Sequence, residues 1–423
     1  MNIMKDSGIE WIGECPEYWD KHPLYYYFEE RKNKNILGRE TNLLSLSYGK
    51  VIRKDINSNG GLLPDNYNGY NIIEKDDIVL RFTDLQNDKR SLRTGLVTEK
   101  GIITSAYVTI KSKKQIHVPY FHYLLHSYDV AKVFYNMGNG VRQGLNFGEF
   151  SKLMLVEPPI DDQRRIAEFL DKKCEEVDGL IADIQTQIDT LEQYKRSTIT
   201  EAVTKGLNPT AEMKDSNIQW VGKIPAHWGS LPIYVLFEEV TKKNIFGKEK
   251  QALQFRYGTT VPKENFEADD DLYVAKTILN YNIVEPGVIM LNGLNLNFDF
   301  VTQRVALVRD KGIITSAYMA IKSKNFNAMN PEYSTYLLKS YDICKAFHNM
   351  GGGVRKILNF EELKRNYIIV PPIDEQKSIA EYLDKKCAKI DACIEEKKQQ
   401  ISVLETYKKS IIFEYVTGKK EVM

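Results

Sequence analysis

The chain has 423 residues, of which 43% are hydrophobic and 27% are charged, and its formal net charge is +1. This composition is typical of a globular protein with two or three domains and excludes a wholly disordered, collagen-like or membrane-spanning chain. The near-neutral charge gives no global signal for a polyanion, so nucleic-acid binding would require local cationic patches. Five scattered cysteines without CxxC spacing indicate free thiols in a reducing, cytoplasmic compartment.

The chain contains one unit of about 210 residues twice. Asp6–Gly13 returns in similar form as Asp215–Gly222, and Lys100–Tyr107 returns unchanged as Lys311–Tyr318. Repeats of this kind set the architecture of a whole chain. We therefore predict a tandem duplication in which each copy is a globular part followed by a helix. The repeat also predicts that residues 1–19 pack near the end of the C-terminal helix.

The globular part of each copy predicts an α+β fold. In the first copy, short strands are expected at 72–73, 78–80, 95–97 and 107–110, and an amphipathic helix at Tyr120–Tyr135. The fold class expected for the chain is two tandem-repeated mixed α/β domains separated by two long helices. The predicted boundaries are 1–157 for the first domain, 158–207 for the central helix, 208–370 for the second domain and 371–423 for the C-terminal helix.

Each copy ends in a long helix that follows a double proline. Asp161 and Asp374 occupy the predicted N-cap positions, and Gly206 with Pro209 ends the first helix. Apolar residues spaced three and four positions apart form a stripe along both helices, and this stripe must be buried against a packing partner. We expect the two helices to form an antiparallel coiled coil with pseudo-two-fold symmetry; the alternative is that each helix packs on its own globular domain. The stripes contain Ile166, Leu170, Val177, Ile181, Ile184, Ile188, Leu191 and Tyr194 in the first copy, and Ile379, Leu383, Ile390, Ile394, Ile401, Leu404 and Ile411 in the second.

The two copies differ most in two pairs of segments. These are Asp55–Gly69 against Glu264–Asn280, and Arg81–Thr94 against Asn292–Val305. A shared frame that carries different loops suits a reader of two different DNA half-sites. Side chains of the types that pair with base edges are concentrated in the second pair, although each of them is otherwise an ordinary solvated loop residue. The candidates for base readout are Arg81, Asn87, Lys89, Arg90 and Arg93 in the first copy and Asn292, Asn295, Asn297, Gln303 and Arg304 in the second.

A basic stretch is present in both copies, interleaved with aromatic residues and a glycine-rich turn. Because phosphate contacts position a protein without carrying sequence information, a shared stretch suits that role. The turns at 138–140 and 351–353 either bind an anion through backbone N–H groups or simply close the domain. The phosphate candidates are Lys111, Lys113, Lys114 and Arg142 in the first copy and Lys322, Lys324, Arg355 and Lys356 in the second.

No catalytic motif is present. The chain lacks both a Gly-x4-Gly-Lys-Ser/Thr phosphate loop and the Asn/Asp-Pro-Pro-Tyr/Phe motif of amino-methyltransferases. His122 and His126 have metal-compatible spacing, but Thr335 and Lys339 replace them in the second copy. We therefore interpret the histidines as a surface pair and predict no metal site.

Two tyrosines and two cysteines have two interpretations each. Tyr48 and Tyr257 both precede a glycine, and they either stack on bases or belong to core strands, which is the commoner case. Cys174 and Cys387 lie near the helix stripes, where packing is expected rather than reactivity.

Several motifs together resemble the specificity subunit of type I restriction-modification systems. They are Glu10–Gly13 with Pro16 and Trp19, Pro158–Ile160 with Gln163 and Ile166–Leu170, and Val416–Lys419. The resemblance covers essentially the whole chain, in both copies. It implies two target-recognition domains that each read one half of a bipartite, asymmetric target in double-stranded DNA, with the helices setting the spacer.

The resemblance also implies the partners and the division of chemistry. The helices would dock two methyltransferase subunits, and restriction subunits would join the full complex. No cofactor is expected on this chain, since S-adenosylmethionine, ATP and Mg belong to the partner subunits. The chain itself is then not an enzyme.

Two other classes of protein remain as alternatives. A coiled-coil adaptor without direct DNA readout fits the near-neutral charge but leaves the divergent loops unexplained. An enzyme with an unrecognised site is opposed by the missing motifs. Salt-dependent DNA binding of the assembled complex tests the first alternative, and activity of the isolated chain tests the second.

Overall fold

The computed structural model describes residues 3–55, 66–83, 85, 92–137, 144–263, 277–297, 303–353 and 356–422. The chain divides into two compact units. Unit 1 contains Met1–Ile184 and Lys398–Met423, and unit 2 contains Gln185–Lys397. Both units combine short antiparallel strands with helices, in agreement with the predicted α+β class. No helix among the described residues has both the length and the apolar character needed to cross a bilayer.

Unit 1 is built mainly from short strands. Its strands are β1 (Met4–Asp6), β2 (Glu14–Pro16), β3 (Asp20–Pro23), β4 (Phe28–Glu30), β5 (Leu44–Ser47), β6 (Lys50–Arg53), β7 (Asn71–Ile73), β8 (Ile78–Leu80), β9 (Thr94–Leu96), β10 (Gly101–Ile103), β11 (Val108–Ser112) and β12 (Met154–Glu157). Its short helices are α1 (Leu24–Tyr27), α2 (Val118–Val130) and α3 (Phe147–Phe150), with a 3-10 helix at Val133–Met137. The predicted helix at 120–135 is interrupted because Lys132 adopts a left-handed φ of 60°.

Unit 2 repeats this series. Its strands are β13 (Met213–Asp215), β14 (Lys223–Pro225), β15 (Gly229–Pro232), β16 (Phe237–Glu239), β17 (Leu253–Arg256), β18 (Thr259–Pro262), β19 (Asn282–Val284), β20 (Ile289–Leu291), β21 (Val305–Leu307), β22 (Gly312–Ile314), β23 (Met319–Ser323) and β24 (Tyr367–Val370). Its short helices are α5 (Ile233–Leu236), α6 (Pro331–Ile343), α7 (Ala346–Met350) and α8 (Phe360–Leu363).

A four-stranded antiparallel sheet organises each unit. The strand order is β4-β11-β8-β9 in unit 1 and β16-β23-β20-β21 in unit 2. Successive side chains of a strand point to opposite faces, and β8 is buried on both. Ile78 and Leu80 belong to the main core, which includes helix α2, whereas Val79 packs with Leu44 and Leu46 of the β5–β6 hairpin. Each sheet is therefore covered by a helix on one face and by a hairpin on the other.

Two long helices complete the fold. Helix α4 spans Ile160–Lys205 and helix α9 spans Ile373–Val416, both inside the predicted segments. The predicted N-cap positions are wrong, because the helices begin at Ile160 and Ile373, one residue before Asp161 and Asp374. Both carboxylates lie in the first turn, where they stabilise the positive end of the helix dipole. Gly206, with a φ of +74°, follows the end of α4 as expected.

Within each unit the segments of α4 and α9 run antiparallel. In unit 1 the Phe169 and Tyr415 rings lie 4.4 Å apart, and the Lys408 ammonium contacts Asp178 at 2.6 Å. In unit 2, Lys195 contacts Asp391 at 2.6 Å. Most stripe residues are buried or half-buried, and Cys174 and Cys387 are buried among them. Tyr194 departs from the predicted stripe, since its ring is exposed and faces the Lys386 ammonium.

The end of α9 packs against the N-terminal segment, as the repeat predicts. The Lys419 ammonium donates to the Ile12 carbonyl at 2.9 Å, and the Tyr120 hydroxyl donates to the Val416 carbonyl at 2.9 Å. Gly418 has a φ of +73°, and a Cβ there would approach Pro16 to 2.3 Å. Only glycine fits this position, because both its backbone conformation and its space exclude a side chain.

Candidate nucleic-acid interface

A buried arginine holds the divergent loop of each unit. In unit 2 the Arg304 guanidinium is 1% exposed and donates to the carbonyls of Asn292 at 2.9 Å and Leu294 at 2.7 Å. Its backbone N–H donates to the Asp342 carboxylate at 2.9 Å. The two ends of the loop between β20 and β21 are thus anchored to the interior. These hydrogen bonds are stable because a buried donor that loses its acceptor costs free energy.

Unit 1 repeats this anchor with its own loop. The buried Arg93 guanidinium donates to the carbonyls of Arg81 and Thr83, and the Arg93 N–H donates to Asp129 at 2.7 Å. The sequence prediction that Arg93 and Arg304 present their guanidinium groups to bases is therefore corrected. Burial turns both side chains inward, where they position a loop. Asp129 and Asp342 were missed by the sequence analysis, although the same Tyr-Asp pair in both copies was a usable signal.

The remaining readout candidates have mixed placements. Arg81, Asn295 and Gln303 are exposed, and Asn292 and Asn297 are half-buried. Asn295 adopts a left-handed φ of 51°, which asparagine tolerates better than most residues. The Asn292 side-chain oxygen accepts the Leu294 N–H at 3.1 Å. Asn87, Lys89 and Arg90 lie outside the described residues, so their role stays a prediction.

Two phosphate candidates, Lys111 of β11 and Lys322 of β23, lie beside the edge strands β4 and β16. Lys111 pairs with Glu29 at 2.8 Å and Lys322 pairs with Glu238 at 3.1 Å, at equivalent positions of the two units. The Lys111 ammonium lowers the pKa of Glu29, and this exposed pair is worth little in water. Either lysine can therefore exchange its carboxylate for a phosphate at low cost.

The other phosphate candidates are held individually. Lys113 is exposed next to β11, and the Lys114 ammonium lies 2.8 Å from the centroid of the Tyr26 ring. Lys324 donates to the Tyr234 carbonyl at 2.8 Å, and Lys356 donates to the His348 carbonyl at 3.3 Å. Phosphate binding by these four lysines stays a prediction. Arg142 and Arg355 lie outside the described residues.

Tyr48 and Tyr257 occupy the tips of equivalent hairpins, β5–β6 and β17–β18. Their side chains are 70% and 74% exposed, so the alternative that they belong to the core is wrong. Both adopt left-handed φ angles, 46° and 48°, which are unusual for a bulky residue and cost about 1–3 kcal/mol. A Cβ on Gly258 would meet the Gln303 side chain, so the tip of unit 2 adjoins its divergent loop.

Comparison with known proteins gives one consistent family. A model of the type I restriction modification DNA specificity domain matches residues 300–405. The MjaX type I restriction enzyme specificity subunit of Methanocaldococcus jannaschii is 24% identical, over 97% of this chain and 96% of that protein. The MjaVIII specificity subunit of the same organism is 25% identical, over 77% and 75% of the two chains. The chain is therefore similar to type I specificity subunits over nearly its whole length.

One solved structure shares the fold of this chain. It comes from work on complex assembly and conformational transition of the type I restriction-modification system, and it matches with a TM-score of 0.69 at 13% identity. The match covers 96% of this chain and 99% of the other.

The pair His122 and His126 is half-buried, which corrects the prediction of a surface pair. Burial, with the neighbouring His126, lowers the pKa of His122 to about 3. Burial, with Lys408 and Lys409, lowers the pKa of His126 to about 4. No group of three or more potential metal ligands occurs in the described part of the chain, so the two imidazoles have no third ligand there.

These shifts predict a loss of stability on acidification. Both imidazoles stay neutral in the folded chain but take up protons in the unfolded chain below about pH 6.5. The contribution of the neutral histidines to the free energy of unfolding is therefore fully present above pH 6.5. It falls towards pH 4, by at most about 1.4 kcal/mol per pH unit for each histidine. Thermal unfolding of the wild type and of His122→Thr, which introduces the residue of the second copy, measures the difference. Equal pH slopes in the two proteins would contradict the assignment.

Proposed function

We propose that this chain is the non-catalytic DNA-recognition subunit of a type I restriction-modification complex, with each unit reading one half of a bipartite, asymmetric target. One observation carries the proposal. An identical anchor, Arg93 with Asp129 and Arg304 with Asp342, holds loops of different sequence in the two units. Reading two different half-sites requires the same scaffold with different loops. Phosphate contacts position the protein on DNA, whereas base contacts provide the sequence specificity.

The rest of the assembly follows from this role. Residues 1–157 and 208–370 act as the target-recognition domains, and α4 with α9 form one antiparallel coiled coil that sets the spacer between the half-sites. The outer faces of these helices dock two methyltransferase subunits, and restriction subunits join the full complex. S-adenosylmethionine, ATP and Mg are used by the partners and not by this chain. The complex works on double-stranded DNA in the cytoplasm.

The deciding experiment is methylome sequencing of a host that expresses this chain with its methyltransferase subunit. A parallel strain carries a chain whose residues 1–157 are exchanged for another recognition domain. A split motif whose one half changes on the exchange supports the proposal. A stable complex without any methylated motif would favour the adaptor, and methylation by the isolated chain would favour an enzyme.

The strained tyrosines provide a prediction at the level of one residue. Tyr257→Asn relieves the left-handed strain, so the free chain should gain about 1 kcal/mol in its free energy of unfolding. If the ring stacks on a base, the complex should lose about 1–3 kcal/mol of binding free energy for target DNA. Chemical denaturation and fluorescence-anisotropy titration measure the two quantities. A variant that is more stable and binds equally well would show that the ring does not contact DNA.

A further inference from the structure

Each unit presents a pair of large apolar side chains on an exposed turn. In unit 1 the pair is Ile36 and Leu37, both 72% exposed, and in unit 2 it is Ile245 and Phe246, 62% and 78% exposed. Single exposed apolar residues are common on protein surfaces and need no explanation. An apolar pair that occurs at the same place in both units, with Leu in one and Phe in the other, does require an explanation. We call these two turns the apolar tips.

Hydrogen bonds fix the conformation of both apolar tips. In unit 1 the Gly38 N–H donates to the Asn35 carbonyl at 2.8 Å, which closes a tight turn around the pair. The buried Asn35 side chain donates to the Glu40 carbonyl at 2.9 Å and accepts the Glu40 N–H at 3.2 Å. In unit 2, Asn244 makes the same two bonds with Glu249, at 2.8 and 3.2 Å. The pair is thus held outward by a clamp, so its exposure is not the result of a loose loop.

Each apolar tip is hydrogen-bonded to the C-terminal end of a segment whose sequence differs between the copies. The Asn35 N–H donates to the Tyr70 carbonyl at 2.9 Å, and the Lys34 ammonium donates to the Gly69 carbonyl at 2.9 Å. In unit 2 the Asn244 N–H donates to the Tyr281 carbonyl at 3.0 Å. Both contacts adjoin the divergent segments 55–69 and 264–280. The tips therefore belong to the variable side of each unit.

Charge around the tips indicates the chemistry of their partner. Residues 32–40 contain three cations, Lys32, Lys34 and Arg39, against the single carboxylate of Glu40. Residues 242–250 contain four lysines against Glu249, and the Lys248 ammonium lies 5.8 Å from the centroid of the Phe246 ring. Lys32 pairs with Glu30 at 2.8 Å at the surface, an interaction that a phosphate can replace. An apolar pair framed by cations suits a polyanion with an apolar interior.

We propose that the two apolar tips are wedges that insert between base pairs of duplex DNA, one in each half-site. The flanking cations contact the phosphates on either side, and the apolar pair enters the stack and partly separates one base step. Duplex DNA offers both phosphates and stacked apolar surfaces, and the proposed function already makes it the partner of both units. This inference rests on the proposed function and adds to it a deformation that each unit imposes on its half-site.

The test uses the full chain assembled with its methyltransferase subunits and target duplexes that carry 2-aminopurine at successive positions. Fluorescence of 2-aminopurine rises when its stacking is lost. The wild-type complex should raise it severalfold at one step in each half-site, away from the methylated adenine. The double variant Ile245→Ser with Phe246→Ser should abolish the rise in one half-site only, and Ile36→Ser with Leu37→Ser in the other. Each should weaken binding about tenfold.

Two controls make the result decisive. Phe326→Ser removes another exposed aromatic side chain of unit 2 and should leave both fluorescence rises intact. Any fluorescence change at the methylated adenine should persist in all variants, because it reports the partner subunit. Fluorescence rises that survive in both double variants would overturn the wedge. Loss of co-purification with the methyltransferase would overturn it too, by making the tips a protein-docking surface. A wild-type complex that binds no specific motif would refute the proposed function itself.

Discussion

A seven-residue insertion in both long helices is expected to lengthen the unread spacer of the DNA target by about three base pairs. One heptad adds about 10 Å of helix, and one base pair occupies about 3.4 Å. The insertions belong after Ile184 and after Lys397, where the chain divides into its two units. The contacts Asp178–Lys408 in unit 1 and Lys195–Asp391 in unit 2 are then left unchanged. Methylome sequencing should recover both original half-sites at the new separation.

The same insertion in α4 alone is the matched control. It shifts the apolar stripe of one helix without a compensating shift in the other, so the complex should assemble poorly and methylate neither spacing. Methylation of the original target by the double insertion, at its original spacer, would show that the helices do not set the distance. Altered half-site sequences would show that the insertions act on the recognition domains instead.

Arg304→Met is expected to destabilise the chain by about 2–4 kcal/mol, because it leaves the half-buried carbonyls of Asn292 and Leu294 without their buried donor. The loop between β20 and β21 should then lose its shape, and the half-site that unit 2 reads should become degenerate. The half-site of unit 1 should be unchanged. Denaturant unfolding measures the first effect, and methylome sequencing measures the second.

Arg81→Met gives the contrasting case. Arg81 is exposed, so its replacement should change the free energy of unfolding by less than about 0.5 kcal/mol. If Arg81 contacts a base, one position in the half-site of unit 1 should still relax. An Arg304→Met chain that unfolds like the wild type but loses specificity would restore Arg304 as a direct base contact and refute the anchor.

The sequence analysis was most accurate for features with a period. The duplication, the two long helices and their apolar stripes depend on spacing that is visible along the chain, and residues such as Leu170 and Leu383 are buried as expected. The packing of the N-terminal segment on the end of α9 was also predictable, since the middle of the chain already shows a Trp segment following a long helix. Periodic and repeated features are visible in the linear sequence, so they can be identified without a structure.

The site was harder to predict because the type of a side chain does not determine its exposure. Arg304 looked like a loop cation until the fold brought Asp342, 38 residues further along, against its backbone. Tyr48 and Tyr257 looked like core residues, yet the hairpins place them at exposed tips in a strained conformation. Their exposure depends on which strands pair, which local sequence does not specify.

The sequence by itself determined the duplication, the two long helices and the resemblance to type I specificity subunits, because these depend on residue types at fixed separations. Only the tertiary structure decided which polar residues turn inward as anchors and which apolar residues are held outward. That choice follows from contacts between segments far apart in the chain, where a buried donor must find an acceptor. Arg93 and Ile36 illustrate it, since a cation is buried and an aliphatic side chain is exposed within the same unit.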